Sequence, residues 1–202
     1  MNYKTIFDEA NKIEKASLAR TKLNETLIDA KIDDLDNFLE KHPEEKQILN
    51  TPTKDLEDTK YKYLANSLFR KKNPNKTLYG IIQDSINADS RMIIPYFSVD
   101  SGGNLKGFVA LMVSGDVIYG IKMFSFNADK LNPTIAGDLK ELLPQLIEKY
   151  SSISWDAEKE NPANIKYKAL TTKYGGTSRD YIDEETKDEC VLYTIPGKKK
   201  SD

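Results

Sequence analysis

Ser152-Ile-Ser-Trp-Asp-Ala-Glu-Lys-Glu-Asn-Pro-Ala-Asn-Ile-Lys-Tyr167 closes the part of the chain that decides the fold. Ile153, Ser154 and Trp155 read as a short strand that halts at Trp155-Asp156. Pro162 then stands where the first position of a helix is expected, since its fixed φ suits that place and its missing N–H costs nothing there. Gly175 and Gly176 end that helix. Upstream, residues 117–126 read as a strand and 127–133 as a loop. The helix that follows carries Ile135, Leu139, Leu142, Leu143, Leu146 and Ile147 on its buried side. Pro144 inside this pattern predicts a kink, or a break into two shorter helices.

Around this stretch the periodicity stays that of strands. Residues 92–99 form a strand whose Pro95 points to an edge or a bulge. Asp100-Ser-Gly-Gly-Asn104 is turn chemistry, residues 105–113 form another strand, and Ser114-Gly115-Asp116 is a tight turn. Tyr181-Ile182 and residues 189–195 make a closing hairpin. The order is three strands, helix, strand, helix, two strands. This is an α+β class: a mixed, mostly antiparallel sheet flanked by helices.

The chain divides near residue 88. Before it, the pattern is helical and charged. Leu27, Ile28, Ile32, Leu35, Phe38 and Leu39 recur at three- and four-residue intervals, with Asn24 as a candidate N-cap. Residues 56–69 and 76–86 repeat the helical pattern, while residues 3–18 fit either a helix or a short strand. The expected organisation is an extended helical N-terminal region over residues 1–88, serving as lid helices or as a separate appendage. The core spans 89–197, and a basic tail spans 198–202.

Composition narrows the chemistry. A net charge of -2 over 202 residues gives no general attraction to nucleic acid or to anionic membranes. The basic run Arg70-Lys71-Lys72 has no interleaved aromatics and reads as a solvated loop, so a nucleic-acid partner is not expected. No membrane span or signal peptide is visible, and one cysteine fits a reducing compartment; the expectation is a soluble cytoplasmic protein without a membrane partner. Cys190, in an apolar run, reads as a buried strand residue. The single histidine, His42, precedes Pro43 and suits a helix C-terminus better than catalysis, and a histidine-rich metal site is excluded. No metal is expected.

The strand and helix order, with Asn161-Pro162-Ala163-Asn164-Ile165-Lys166-Tyr167, resembles the GCN5-related N-acetyltransferase (GNAT) superfamily over roughly residues 90–196. In that family a central strand bulges and splays from a parallel neighbour. The pantetheine arm of acetyl-CoA, the co-substrate, enters the opening like an added strand, and a helix N-terminus meets the pyrophosphate. The resemblance implies that Met123, Phe124 and Ser125 offer backbone to pantetheine. It also implies that Thr134, Ile135, Ala136 and Gly137 meet the pyrophosphate and that Asn161 holds the pantetheine side. Tyr167 is the candidate acid toward the departing thiolate, and Asp156, with Glu158 beside it, the candidate acceptor of the amine proton. Tyr167 takes that role only if its helix starts differently from the family pattern, in which Lys168 occupies the tyrosine position; otherwise it packs. Asp156 and Glu158 are alternatively solvated loop acids, and Trp155 is core or cleft wall.

Two functions therefore stand side by side. One is acetyl transfer from acetyl-CoA to a primary amine, the acceptor being a small molecule or a protein, in a monomer or a homo-oligomer. The other is a catalytically degenerate GNAT-fold binding or assembly protein. Leu131, where a basic or amide side chain is the family pattern, and Thr134, in place of the first glycine, favour the second.

Overall fold

The computed structural model describes residues 27–56, 67–126, 134–161 and 163–199, and for Ser67 and 134–139 the backbone alone. Its elements are β1 (Leu27–Asp29), α1 (Ile32–Lys41), α2 (Pro43–Leu49), a short 3-10 turn (Thr53–Leu56), α3 (Ser67–Lys72) and α4 (Leu78–Ile86). They continue with β2 (Ile93–Val99), β3 (Leu105–Ser114), β4 (Val117–Ser125), α5 (Thr134–Lys149), β5 (Ser152–Glu158), α6 (Asn164–Lys173), β6 (Thr177–Ile182) and β7 (Glu189–Pro196). The described strands form one sheet in the order β1-β2-β3-β4-β5-β7-β6. Every neighbouring pair is antiparallel except β4 and β5.

Two cores lie on opposite faces of this sheet. On one face Phe97, Phe108, Phe124 and Phe126 pack under Leu35, Leu39, Leu49 and Ile82 from the N-terminal helices. On the other, Val109, Leu111, Ile118 and Ile153 meet Leu142, Leu143, Leu146 and Ile147 of α5, while Trp155 and Tyr193 meet α6. Alternation along β3 explains the division: Phe108 and Ala110 face the first core, and Val109 and Leu111 the second.

Several expectations change at this level. Leu27 and Ile28 lie in a strand, not in the helix that their spacing predicts; β1 pairs with Tyr96–Ser98, and the helix begins only at Ile32. Asn24 and residues 3–18 lie outside the described residues. So do residues 57–66 of the expected helix over 56–69, where the described parts are a 3-10 turn and α3. Pro144 does not divide α5, which runs as one helix of 16 residues. The carbonyl that loses its donor is that of Lys140, and Lys140 and Pro144 are both exposed, so water can reach it. Pro95 is not at a bulge. The Ala30 N–H bonds the Pro95 carbonyl at the end of β1, so the proline faces the side where pairing stops.

Other readings hold. His42 caps α1, its Nδ1 2.7 Å from the Phe38 carbonyl and its ring stacked on Phe38. Cys190 is fully buried on β7. Gly115 takes the positive φ (+61°) of a two-residue hairpin turn between β3 and β4. Gly176 leaves α6 so close to β7 that an added Cβ would lie 2.2 Å from the Thr194 carbonyl oxygen. No described helix is long and apolar enough to cross a membrane.

Candidate functional site

The parallel pair β4 and β5 is joined over only two register positions, Val117 with Ser152 and Ile118 with Ile153. Beyond them the strands part. The cause lies in β4: its register against β3 shifts between Met112 and Val113, which leaves Tyr119 as one extra residue. Such a bulge bends a strand and increases its local twist. It falls immediately after Ile118, the last residue of β4 paired with β5. The sequence signal was present, because an isolated Gly120 inside a strand pattern marks a bulge.

The split exposes main chain. The Phe126 N–H bonds the Lys106 carbonyl, so in the alternating antiparallel ladder Phe124 and Lys122 also turn their amide groups toward β3. Ile121 and Met123 turn theirs the opposite way, into the split, where no described strand pairs with them. Ser125 falls in the same phase as Met123.

β5 does not halt at Trp155-Asp156; it runs on to Glu158, paired throughout with β7. Its alternation places Ile153, Trp155 and Ala157 on the α5–α6 face and Ser154, Asp156 and Glu158 on the α3 face. The two candidate acids thus leave the strand on the same side. Their surroundings differ. Glu158 is neutralised by Lys71 at 2.8 Å, and Lys71 also holds Asp188 at 2.9 Å. Asp156 is exposed and accepts a 2.6 Å hydrogen bond from the Tyr181 hydroxyl.

α3 covers the split on this face. Phe69 packs on Phe124 of β4 with ring centroids 5.0 Å apart, and Lys71 reaches Glu158 of β5. Lys72 pairs with the buried Asp183 at 2.5 Å. The basic run is therefore a helix end, with Arg70 buried and Lys71 and Lys72 bound to carboxylates, and not a solvated loop. Burial disfavours the charged form of Asp183, but the Lys72 ammonium and the Thr186 N–H outweigh it and hold the carboxyl at about 2. Lys122, half-buried beside the Phe69 ring, has its ammonium destabilised by burial and then by Lys76.

On the opposite face α6 begins at Asn164; Pro162 lies outside the described residues. With this start Tyr167 faces the sheet and Lys168 is exposed. The Tyr167 ring meets Trp155 edge-on at 6.0 Å and Tyr193 at 5.7 Å. Burial, followed by the neighbouring Tyr193, raises the Tyr167 pKa above the ordinary phenol value. Trp155 is buried, stacked on Tyr193, and its Nε1–H has no hydrogen-bond acceptor among the described residues.

The β5–α6 loop is shaped by two asparagines. Asn161 Oδ1 accepts the Ala163 N–H at 2.9 Å. Asn164 Nδ2 donates to the Glu158 and Lys159 carbonyls, while its Oδ1 accepts the Tyr193 hydroxyl at 3.0 Å. Asn164 has no role legible in the sequence, because its partners, 29 residues away in the case of Tyr193, have no local signature. Thr134, Ile135, Ala136 and Gly137 form the first turn of α5, and Leu131 lies outside the described residues. A cavity of about 570 Å³ lined by Arg91, Val113, Gly115, Asp116, Lys149 and Tyr150 sits at the other end of β4, away from the split.

No protein-family model matches this sequence, and no curated protein does. Solved structures do match in fold. A ribosomal L7/L12 alpha-N-protein acetyltransferase in complex with coenzyme A is 10% identical with a TM-score of 0.58, over 85% of this chain and 94% of that one. Spermidine N-acetyltransferase from Vibrio cholerae, in complex with CoA and spermine, is 13% identical with a TM-score of 0.53, over 85% and 94%. A split parallel pair after a bulged strand, inside a sheet that superposes on these proteins, gives this chain the fold of the GCN5-related N-acetyltransferases.

Proposed function

We propose that this chain is an N-acyltransferase that moves an acetyl group from acetyl-CoA to a primary amine. The observation that carries the reading is the divergence of β4 and β5 after two register pairs, with the amide groups of Ile121 and Met123 turned into the gap. A pantetheine arm is peptide-like, and its amides could pair with these main-chain groups as an added strand would. The orphaned Trp155 Nε1–H offers a further buried donor beside the same split, so the residues present fit such a ligand. Met123 and Ser125 would border the arm and Asn161 its outer end, whereas Phe124, expected to offer backbone there, turns its amide group to β3 instead. The first-turn N–H groups of Thr134, Ile135, Ala136 and Gly137 would face the pyrophosphate. Bound there, acetyl-CoA supplies an activated acyl carbonyl.

The chain's own residues divide the proton work between the two faces of the sheet. Asp156, on the α3 face and open to solvent, accepts the proton of the incoming ammonium directly or through one water. Tyr167 Oη, on the α6 face, carries its proton at neutral pH as an ordinary phenol does, burial raising its pKa further, and donates it toward the departing sulfur. Main-chain N–H groups of the splayed part of β4 stabilise the oxyanion. Glu158 holds α3 over the split through Lys71. The acceptor is an amine, on a small molecule or a protein.

A second reading, a GNAT-fold binding or assembly protein without catalysis, is favoured by Leu131 and Thr134 at the phosphate-facing loop. Thermal melts with acetyl-CoA separate binding from its absence. A ligand that binds only the folded state raises the melting temperature, and at about 100 times Kd it adds about 2.7 kcal/mol. A shift with acetyl-CoA, followed by thiol release when primary amines are added, supports the enzyme. No shift at millimolar acetyl-CoA refutes it.

A further inference from the structure

Asp156 and Glu158 share a face of β5, yet Asp156, unlike Glu158, makes no direct ion pair among the described residues. An exposed aspartate on a strand samples several rotamers, which is poor geometry for taking a proton from a bound amine. Here one rotamer is selected from outside the strand. Tyr181 lies on β6, two strands away, opposite Cys190; Asp156 lies opposite Leu192. The phenol therefore reaches diagonally across β7 to place its hydroxyl 2.6 Å from Asp156 Oδ2. Oδ1 keeps no partner among the described residues.

We propose that Tyr181 is a positioning residue, whose hydroxyl fixes the Asp156 carboxylate so that Oδ1 faces the acceptor amine on the α3 side of the split. The inference rests on the reading of Asp156 as the proton acceptor. Two further features support the geometry. Burial first, and then the Asp156 carboxylate, push the Tyr181 hydroxyl far above the ordinary phenol range, so it is always a donor at working pH. Lys72, whose charge is felt at both Asp156 and Asp183, is tied to Asp183 and so does not close over Asp156. Asp183 is itself held by the Thr186 N–H and hydroxyl at the turn that follows β6, so the same hairpin presents Tyr181 and restrains Lys72.

The test uses Tyr181→Phe and Asp156→Asn, singly and together, in the full chain. In the free protein, proton NMR at low temperature should show a downfield hydroxyl resonance that is lost in Tyr181→Phe and in Asp156→Asn. With acetyl-CoA and a panel of primary amines, read by thiol release, Tyr181→Phe should lower kcat about tenfold with KM unchanged. It should add nothing in the Asp156→Asn background, because the two act as one unit. Urea midpoints identify any variant whose loss comes from unfolding. An equal loss from Tyr181→Phe with or without Asp156 overturns the proposal, as does an unchanged kcat or a resonance that persists in Asp156→Asn. Failure of the underlying reading looks different: the wild-type protein would release no thiol with any amine while the resonance remained. That outcome would also leave Tyr181 no proton transfer to serve, and the proposal would fall with it.

Discussion

Replacing Asp183 by Asn should weaken the hairpin that carries Tyr181, and the loss should depend on pH. Asp183 is 5% exposed; its Oδ2 accepts the Lys72 ammonium and its Oδ1 the Thr186 and Glu185 N–H groups. Asparagine keeps the Oδ1 bonds but turns a donor toward Lys72. The carboxyl falls from 3.8 to about 2 on folding. A folded-state value below the unfolded one means that the stabilisation is complete above the unfolded value and is lost as pH falls through the folded one. The shift corresponds to about 2 kcal/mol at pH 7, with roughly half of that left at pH 3. Urea unfolding of the wild-type protein and Asp183→Asn at both pH values measures the difference. A gap below about 0.5 kcal/mol at pH 7, or one that does not shrink at pH 3, would refute the reasoning.

Three further substitutions probe the two faces of the split. Asn164→Ala removes two donations to the β5–α6 loop and leaves the Tyr193 hydroxyl without its acceptor; the expected cost is about 2 kcal/mol in urea unfolding. Tyr167→Phe should keep the ring packing on Trp155 and Tyr193, and hence the melting temperature, while lowering kcat about 10²-fold or more. Unchanged turnover would assign Tyr167 to packing alone. Trp155→Phe removes a buried donor that has no partner among the described residues, which offsets part of the cavity it opens, so the free protein should lose less than roughly 2 kcal/mol. The acetyl-CoA-induced rise in melting temperature should shrink in the same variant; an undiminished rise would show that Nε1–H does not meet the ligand.

The sheet was legible wherever the instructions are local. Gly115-Asp116 between two apolar runs gives the β3–β4 hairpin, and Gly175-Gly176 the end of α6. Elements made by distant partners were not. Leu27 and Ile28 continue the helical spacing of α1, and only Tyr96–Ser98 of β2 turn them into a strand. The polar side chains at Asp156 and Glu158 suggest that β5 ends, although Ile153, Trp155 and Ala157 alternate inward through the same residues; partners on α3 and β6 stabilise the polar side. Lys71 and Lys72 read as solvated because Glu158, Asp183 and Asp188 lie some 90 to 120 positions away. Tyr181 carries no motif, and only the width of β7 between it and Asp156 brings the two together.

Whether the split between β4 and β5 holds acetyl-CoA, as proposed, is decided by a crystal structure of the protein grown with acetyl-CoA. The expected result is an extended ligand lying between the strands, its amides paired with the main chain of Ile121 and Met123 and its acetyl group between Tyr167 and Asp156. Ligand in the cavity beside Arg91, Lys149 and Tyr150, or β4 and β5 closed against each other with no ligand between them, would contradict it.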